Sequence, residues 1–196
     1  MKAAIMGYGT IGSGVYEDLD RNCKIVEKKA GEPIEVKYIL DLREFPGTPI
    51  EKLVIHDVKT IVDDPEIGIV VETMGGTTPA YEFVKSCLLA GKHVVTSNKA
   101  LVAAHGTELI RIAAEKNVSF LFEASVGGGI PIIRPLVECL GGEEIEEISG
   151  ILNGTTNYIL TKMNEEGWSF EEALKRAQEL GYAERNPEAD VEGYDT

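Results

Sequence analysis

Lys2-Ala3-Ala4-Ile5-Met6-Gly7-Tyr8-Gly9-Thr10-Ile11-Gly12 decides the fold of this chain. A short apolar run stops at Gly7, which reads as a buried strand, and helix-like spacing of Ile11, Val15, Leu19 and Ile25 begins at about Thr10. Between them lies G-x-G-x-x-G. The pattern alone is weak, because the chain has 21 glycines. Its place between a strand and a helix gives it a mechanism: Gly7 permits the tight turn, Gly9 lets backbone approach a pyrophosphate, and Gly12 lets helix and strand pack closely. Thr10, Ile11 and Gly12 then offer helix-start N–H groups to the phosphates, so no lysine is required.

Outward from that turn, apolar strands and helices alternate. The helix is expected to run to Lys29, followed by a strand over Ile34–Leu42, an irregular stretch over Phe45–Asp57 and a short helix over Thr60–Val62. Next come a strand over Ile67–Glu72, a helix over Thr77–Ala90 opened near Pro79, and a strand over His93–Thr96. A helix over Leu101–Lys116 and a strand over Val118–Glu123 complete the series. Apolar strands separated by helices mean a parallel sheet covered on both faces, the doubly wound Rossmann architecture of α/β proteins. The rhythm breaks at Gly127-Gly128-Gly129, which places a boundary near residue 125. Residues 1–125 form the dinucleotide-binding domain and 126–196 a second, incomplete α+β domain. In the latter, Ile132–Leu140 reads as helix, Glu144–Leu152 as a strand with one solvent face, and Ser169-Phe170-Glu171-Glu172 as a capping box opening a helix to about Leu180.

Composition narrows the function. A hydrophobic content of 43% supports a core, and a net charge of −14 argues against nucleic acid or an anionic membrane as partner. No run reaches the roughly 18 apolar residues of a membrane span. Cys23, Cys87 and Cys139 are widely spaced, an odd number without metal-ligand pattern, and fit a reducing, cytoplasmic setting. His56, His93 and His105 form no nucleophile–base pattern with a serine or cysteine.

Open α/β sheets bind ligands at the carboxyl ends of their strands. Asp41, closing the second strand, is placed to bond ribose hydroxyls and repel a 2′-phosphate, whereas Arg43 is placed to pair with one. The balance leans slightly to NAD, with use of NADP also expected. Thr73, Met74 and Gly75 after one strand, and Ser97, Asn98 and Lys99 after the next, are candidate cofactor contacts. The Asn153-Gly154-Thr155-Thr156-Asn157 segment begins a helix with small polar groups able to hold a carboxylate.

These segments closely resemble homoserine dehydrogenase: Val70–Gly76 ("VVETMGG"), Thr96–Ala103 ("TSNKALVA"), Glu123–Ile133 ("EASVGGGIPII"), Gly150–Leu160 ("GILNGTTNYIL") and Leu180–Asp195 ("LGYAERNPEADVEGYD"). The resemblance implies NAD(P)H-dependent interconversion of L-aspartate 4-semialdehyde and L-homoserine, on the route to threonine, methionine and isoleucine, by a cytoplasmic homodimer. It assigns Lys99 an active-site role beside nicotinamide and substrate, and Gly181 a cofactor contact. Glu184, Asp190 and Asp195 match the residues holding the ammonium and hydroxyl ends of homoserine; Thr156 and Asn157 help position it. Glu123, Val126, Gly128 and Ile130 match a monovalent-cation site usually occupied by sodium, and such a carboxylate-and-carbonyl donor set is hard oxygen throughout.

In the family a lysine four residues past the last of these aspartates donates the proton, and Thr196 is the last residue here. The expectation is a cofactor-binding chain whose turnover is impaired, since losing a general acid costs typically about 10²–10⁴-fold. The alternative is a cofactor-binding fragment without turnover. A semialdehyde dehydrogenase would need an activated cysteine, and no cysteine lies in such a motif.

Overall fold

A computed structural model describes residues 1–183 and 187–193. Two compact units, Met1–Cys139 and Leu140–Thr196, divide the chain.

The first unit is built on β1 (Lys2–Met6), β2 (Glu35–Leu40), β3 (Val54–Ile55), β4 (Ile67–Glu72), β5 (His93–Thr96) and β6 (Phe120–Leu121). They form one sheet in the order β3-β2-β1-β4-β5-β6, and every pairing is parallel. This is the order of a doubly wound dinucleotide-binding sheet, and the point where it reverses lies between β1 and β4. Side chains alternate across a strand. Accordingly, Ala4 and Met6 of β1 enter the cluster with Val70, Val84, Leu88 and Leu101, while Ile5 joins Ile39 and Ile50 on the other face. Helices α1 (Thr10–Arg21), α2 (Cys23–Ala30), α3 (Lys59–Val62), α4 (Ala80–Leu89) and α5 (Lys99–Lys116) connect the strands.

The expected first helix is two helices. At Asn22 (φ −103°, ψ 17°) the chain leaves helical geometry, while the Asn22 side chain donates to Asp18 Oδ1 at 2.6 Å. Its carbonyl then accepts from Ile25 and Val26 to start α2. Asparagine's local hydrogen bonding competes with helix continuation, which explains the break. The stretch expected to be irregular contains β3, too short at two residues to show an alternation. The last strand is also shorter than expected, ending at Leu121 before a 3₁₀ turn over Glu123–Ser125.

Residues 126–139 go with the first unit, beyond the glycine break. Glu123 anchors them: its carboxylate accepts the backbone N–H groups of Ile132, Ile133 and Arg134. Where a helix was expected over Ile132–Leu140, a π-helical turn spans Pro135–Cys139.

The second unit contains α6 (Gly154–Glu166), α7 (Phe170–Glu179) and α8 (Glu188–Val191). Asn153 caps α6, accepting from Thr156 N, and Ser169 with Glu172 forms the expected capping box of α7. Ile159, Ala173, Ala177 and Ala183 are buried. The strand expected over Glu144–Leu152 is absent: the segment is irregular, with Ile145, Ile148, Ile151 and Leu152 exposed. A strand forms only where another satisfies its backbone, and no strand occurs among the described residues of this unit. Its expected α+β character is therefore all helical among those residues.

Candidate functional site

The carboxyl ends of β1, β2 and β4 enclose a cavity of about 510 Å³, lined by the glycine turn, Leu40–Arg43, His56, Thr73–Gly75, Thr78, Pro79 and Phe83. Half of these residues, Gly7, Gly9, Asp41, Arg43, Thr73, Met74 and Gly75, were expected at a ligand site. Tyr8, Leu40 and Leu42, their chain neighbours, were not, nor were His56, Thr78, Pro79 and Phe83, which only their return to the sheet edge in three dimensions brings here.

The three glycines of the turn have separate structural causes. Gly7 holds φ +94°, a left-handed conformation that disfavours any side chain, and its N–H donates to Leu40 O at 2.8 Å. A Cβ on Gly12 would lie 2.0 Å from Gly7 O and 2.9 Å from Thr73 Oγ1, so only glycine lets α1 start this close to β1. A Cβ on Gly9 would meet nothing within 4 Å. Protein packing therefore imposes no glycine at position 9; the space beside it is open. Gly9 is the N-cap of α1 and makes no side-chain cap bond, and the first-turn N–H groups of Thr10, Ile11 and Gly12 have no intrahelical acceptor. Thr73 closes the turn from the next strand, its hydroxyl donating to Gly7 O at 2.8 Å.

At the far end of the cavity Asp41 and Arg43 are joined. Asp41 Oδ1 accepts Arg43 N and Nε, both at 2.9 Å; Oδ2 accepts Arg43 Nη2 and Tyr8 N, both at 2.8 Å. The four acceptor positions of the carboxylate are filled. The Arg43 guanidinium, with the Arg43 and Tyr8 N–H groups, holds the Asp41 carboxyl well below the usual carboxylate range despite the opposing effect of burial. The Asp41 side chain is 9% exposed and that of Arg43 60%, so the guanidinium forms the solvent face of the pair. His56 Nδ1 lies 2.6 Å from Asp41 O and Nε2 2.8 Å from Glu44, contacts that raise its pKa.

The loops after β4 and β5 are tied together by a carboxylate that the sequence motifs do not single out. Glu72 is fully buried and bonds Met74 N, Thr96 Oγ1 and Asn98 Nδ2. A signal for it exists in the sequence: a single acid closes the otherwise apolar strand Ile67–Glu72. Asn98 is the N-cap of α5, accepting from Leu101 N at 3.0 Å, and Lys99 is that helix's first residue, exposed. Ser97 is half-buried beside them.

Within the second unit, Asn153 Oδ1 accepts both N–H and hydroxyl of Thr156 at 2.8 Å, while Asn153 Nδ2 donates to Asp190 Oδ1 at 2.7 Å. Thr155 donates to Tyr182 O at 2.7 Å. Thr156 and Asp190 thus share one asparagine, Asn157 is exposed on α6, and Gly181 follows α7 with φ +76°. Glu184 and Asp195 lie outside the described residues.

At the cation site expected from Glu123, Val126, Gly128 and Ile130, the Glu123 carboxylate accepts the backbone N–H groups of Ile132, Ile133 and Arg134. Desolvation pushes the Glu123 pKa up, but the N–H groups of Ile132, Arg134 and Ile133 outweigh it and bring the value below normal. Three amides thus balance this carboxylate.

Known proteins resemble this chain along its whole length. A family model described as "Homoserine dehydrogenase, NAD binding domain" matches residues 7–123, and one described as "Homoserine dehydrogenase" matches residues 131–196. The homoserine dehydrogenase of Synechocystis sp. is 48% identical over 200 residues, covering 100% of this chain and 45% of its own length. That of Bacillus subtilis is 41% identical over 198 residues, covering 100% and 46%. Among solved structures, a homoserine dehydrogenase from Thiobacillus denitrificans superposes with TM-score 0.89 at 43% identity, covering 100% of this chain and 46% of that one. A hyperthermophilic archaeal homoserine dehydrogenase in complex with NADPH gives 0.84 at 30% identity, covering 99% and 65%. The chain spans less than half the length of these two curated relatives. It belongs to the homoserine dehydrogenase family.

Proposed function

We propose that the cavity holds NAD or NADP and that the protein serves the interconversion of L-aspartate 4-semialdehyde and L-homoserine. The observation that carries this reading is the open space at Gly9, where packing requires no glycine but a pyrophosphate does. The adenine ribose then lies at Asp41 and Arg43, with Leu42, Pro79 and Phe83 as apolar surface for the base. The dinucleotide runs across β1 toward the loops after β4 and β5. Bound there, the cofactor supplies or accepts a hydride. Lys99 stands at the reacting end, where its charge favours an anionic or polarised substrate oxygen.

In the second unit, Asp190 is an acceptor for the substrate ammonium, together with Glu184 and Asp195 as the resemblance assigns them. Thr156 and Asn157 position the substrate carboxylate. Gly181 is a cofactor contact by the same resemblance. The resemblance likewise makes Glu123, Val126, Gly128 and Ile130 the candidate ligands of a sodium ion, beside the three amides that hold the Glu123 carboxylate. The three free thiols suit a reducing compartment, and we place the protein in the cytoplasm; the homodimer usual in the family rests on an interface largely outside this chain.

Arg43 decides between the cofactors. Ribose hydroxyls reach Asp41 only when Arg43 swings away, whereas a 2′-phosphate meets the guanidinium's exposed face directly. Both cofactors are therefore used, with Arg43 favouring NADP. Arg43→Ala is expected to weaken NADP(H) about tenfold or more while leaving NAD(H) unchanged or tighter, read by titration of reduced-nicotinamide fluorescence. Equal losses for both cofactors would contradict this role. The reaction is tested by mixing homoserine and NADP⁺ with the protein completed to the length of its curated relatives. Homoserine-dependent absorbance of reduced nicotinamide is expected; cofactor binding without it would overturn the assignment.

A further inference from the structure

Glu72 ends β4, and its side chain has no solvent exposure. Among the described residues, the groups bonded to it are neutral: Met74 N at 2.7 Å and Asn98 Nδ2 at 3.4 Å on Oε1, and the Thr96 hydroxyl at 2.6 Å on Oε2. Burying a carboxylate among neutral donors is costly, and an apolar or amide side chain would fill the same space more cheaply. What a carboxylate adds is polarity of one sign. It only accepts, so each group facing it must donate.

Two consequences follow along the bonds. The Thr96 hydroxyl hydrogen is directed at Glu72, which leaves its lone pairs for the Asn98 N–H, at 2.9 Å. Asn98, thus held, donates from Nδ2 to Gly76 O at 2.6 Å and accepts from Leu101 N to start α5. On the other side, Met74 N–H is pinned two residues from its own strand. The loop after β4 and the loop after β5 are therefore held as one piece, with Glu72 between them. The sheet order puts Asp41 and the glycine turn on one side of this piece, so a dinucleotide running from Asp41 across β1 reaches it with its nicotinamide end.

We propose that Glu72 is a positioning residue for the nicotinamide end of the cofactor, setting the spacing of the Thr73–Gly76 and Thr96–Lys99 loops through Met74 and Thr96. This rests on the dinucleotide reading of the cavity. Glu72→Gln replaces one acceptor with an NH₂ donor, so either Met74 N–H faces another donor or the Thr96 hydroxyl must turn from donating to accepting, leaving its hydrogen without this acceptor.

The test compares NADH with ADP-ribose, the same molecule lacking nicotinamide, on wild type, Glu72→Gln and Thr96→Val. ADP-ribose binding is read by ligand-induced rise in melting temperature, and NADH binding by its fluorescence. Both variants are expected to bind ADP-ribose within about twofold of wild type but NADH about tenfold more weakly, with reduced nicotinamide fluorescence enhancement. A purely structural role would weaken both ligands alike, and that outcome overturns the proposal. So does wild-type NADH affinity in either variant, and Thr96→Val decides the matter if Glu72→Gln does not fold. Wild-type protein that failed to bind ADP-ribose would instead remove the dinucleotide reading itself, and the proposal with it.

Discussion

Gly12 and Gly9 belong to one motif but answer to different forces. At Gly12 an added methyl group collides with the backbone oxygen of Gly7, which a rigid turn cannot yield cheaply. Gly12→Ala is expected to destabilise the fold by about 1–3 kcal/mol or more, visible as a lower denaturant midpoint without any ligand. An unchanged midpoint would show that α1 can shift away from β1. The motif spacing makes the roles of Gly7, Gly9 and Gly12 legible in the sequence, because those roles are steric and local. The Asp41–Arg43 pairing is not legible there. A separation of two residues permits either a clasp or two independent side chains, and only the backbone path after β2 selects the clasp. Glu72 is hidden for a related reason: what matters about it is burial between two loops, and β4 by itself does not reveal its neighbours.

Among the elements, β1, β2, β4, β5 and the helices between them can be read from apolar runs closed by glycine, acid or small polar residues. Those signals fail where an element is set by partners. β3 exists because β2 offers an edge; residues 144–152 form no strand because nothing among the described residues pairs with them. The start of β4 shows another contact invisible to pattern. Lys37 on β2 reaches Asp64 at 2.6 Å and also pairs with Glu66, while buried Lys92 donates to Asp64 O and Ile67 O. The Lys37 ammonium, helped by Glu66 N and Tyr38 OH, lowers the Asp64 pKa from 3.8 to about 2. A lowered carboxylate stabilises the fold above its unfolded value and loses that contribution as pH falls through the folded value. Lys37→Met is therefore expected to lower the melting temperature at neutral pH, with the gap to wild type narrowing as pH falls from about 4 to about 2. Thermal melts across that range check it. A gap independent of pH would show that Lys37 acts through its alkyl chain instead.

For the molecule as a whole, a net charge of −14 and an anionic cofactor look incompatible only if charge is averaged. The strand order brings together, at one edge, the N-terminus of α1, the exposed guanidinium of Arg43 and an open glycine, so the local field differs from the global one. The family resemblance is carried by the same edge and by Glu123–Ile133, Gly150–Leu160 and Leu180–Asp195, contiguous stretches of sequence, which explains why the family is readable from sequence while the cavity's outline is not. The most direct test of the dinucleotide site is a calorimetric titration of NADPH and NADH into wild type and Gly9→Ala, alongside their unliganded melting temperatures. Because a Cβ at position 9 touches no protein atom but projects where the proposed pyrophosphate would lie, the variant should melt like wild type and lose at least about tenfold in affinity for both cofactors. Undiminished binding by Gly9→Ala, or no binding by wild type, would contradict the site.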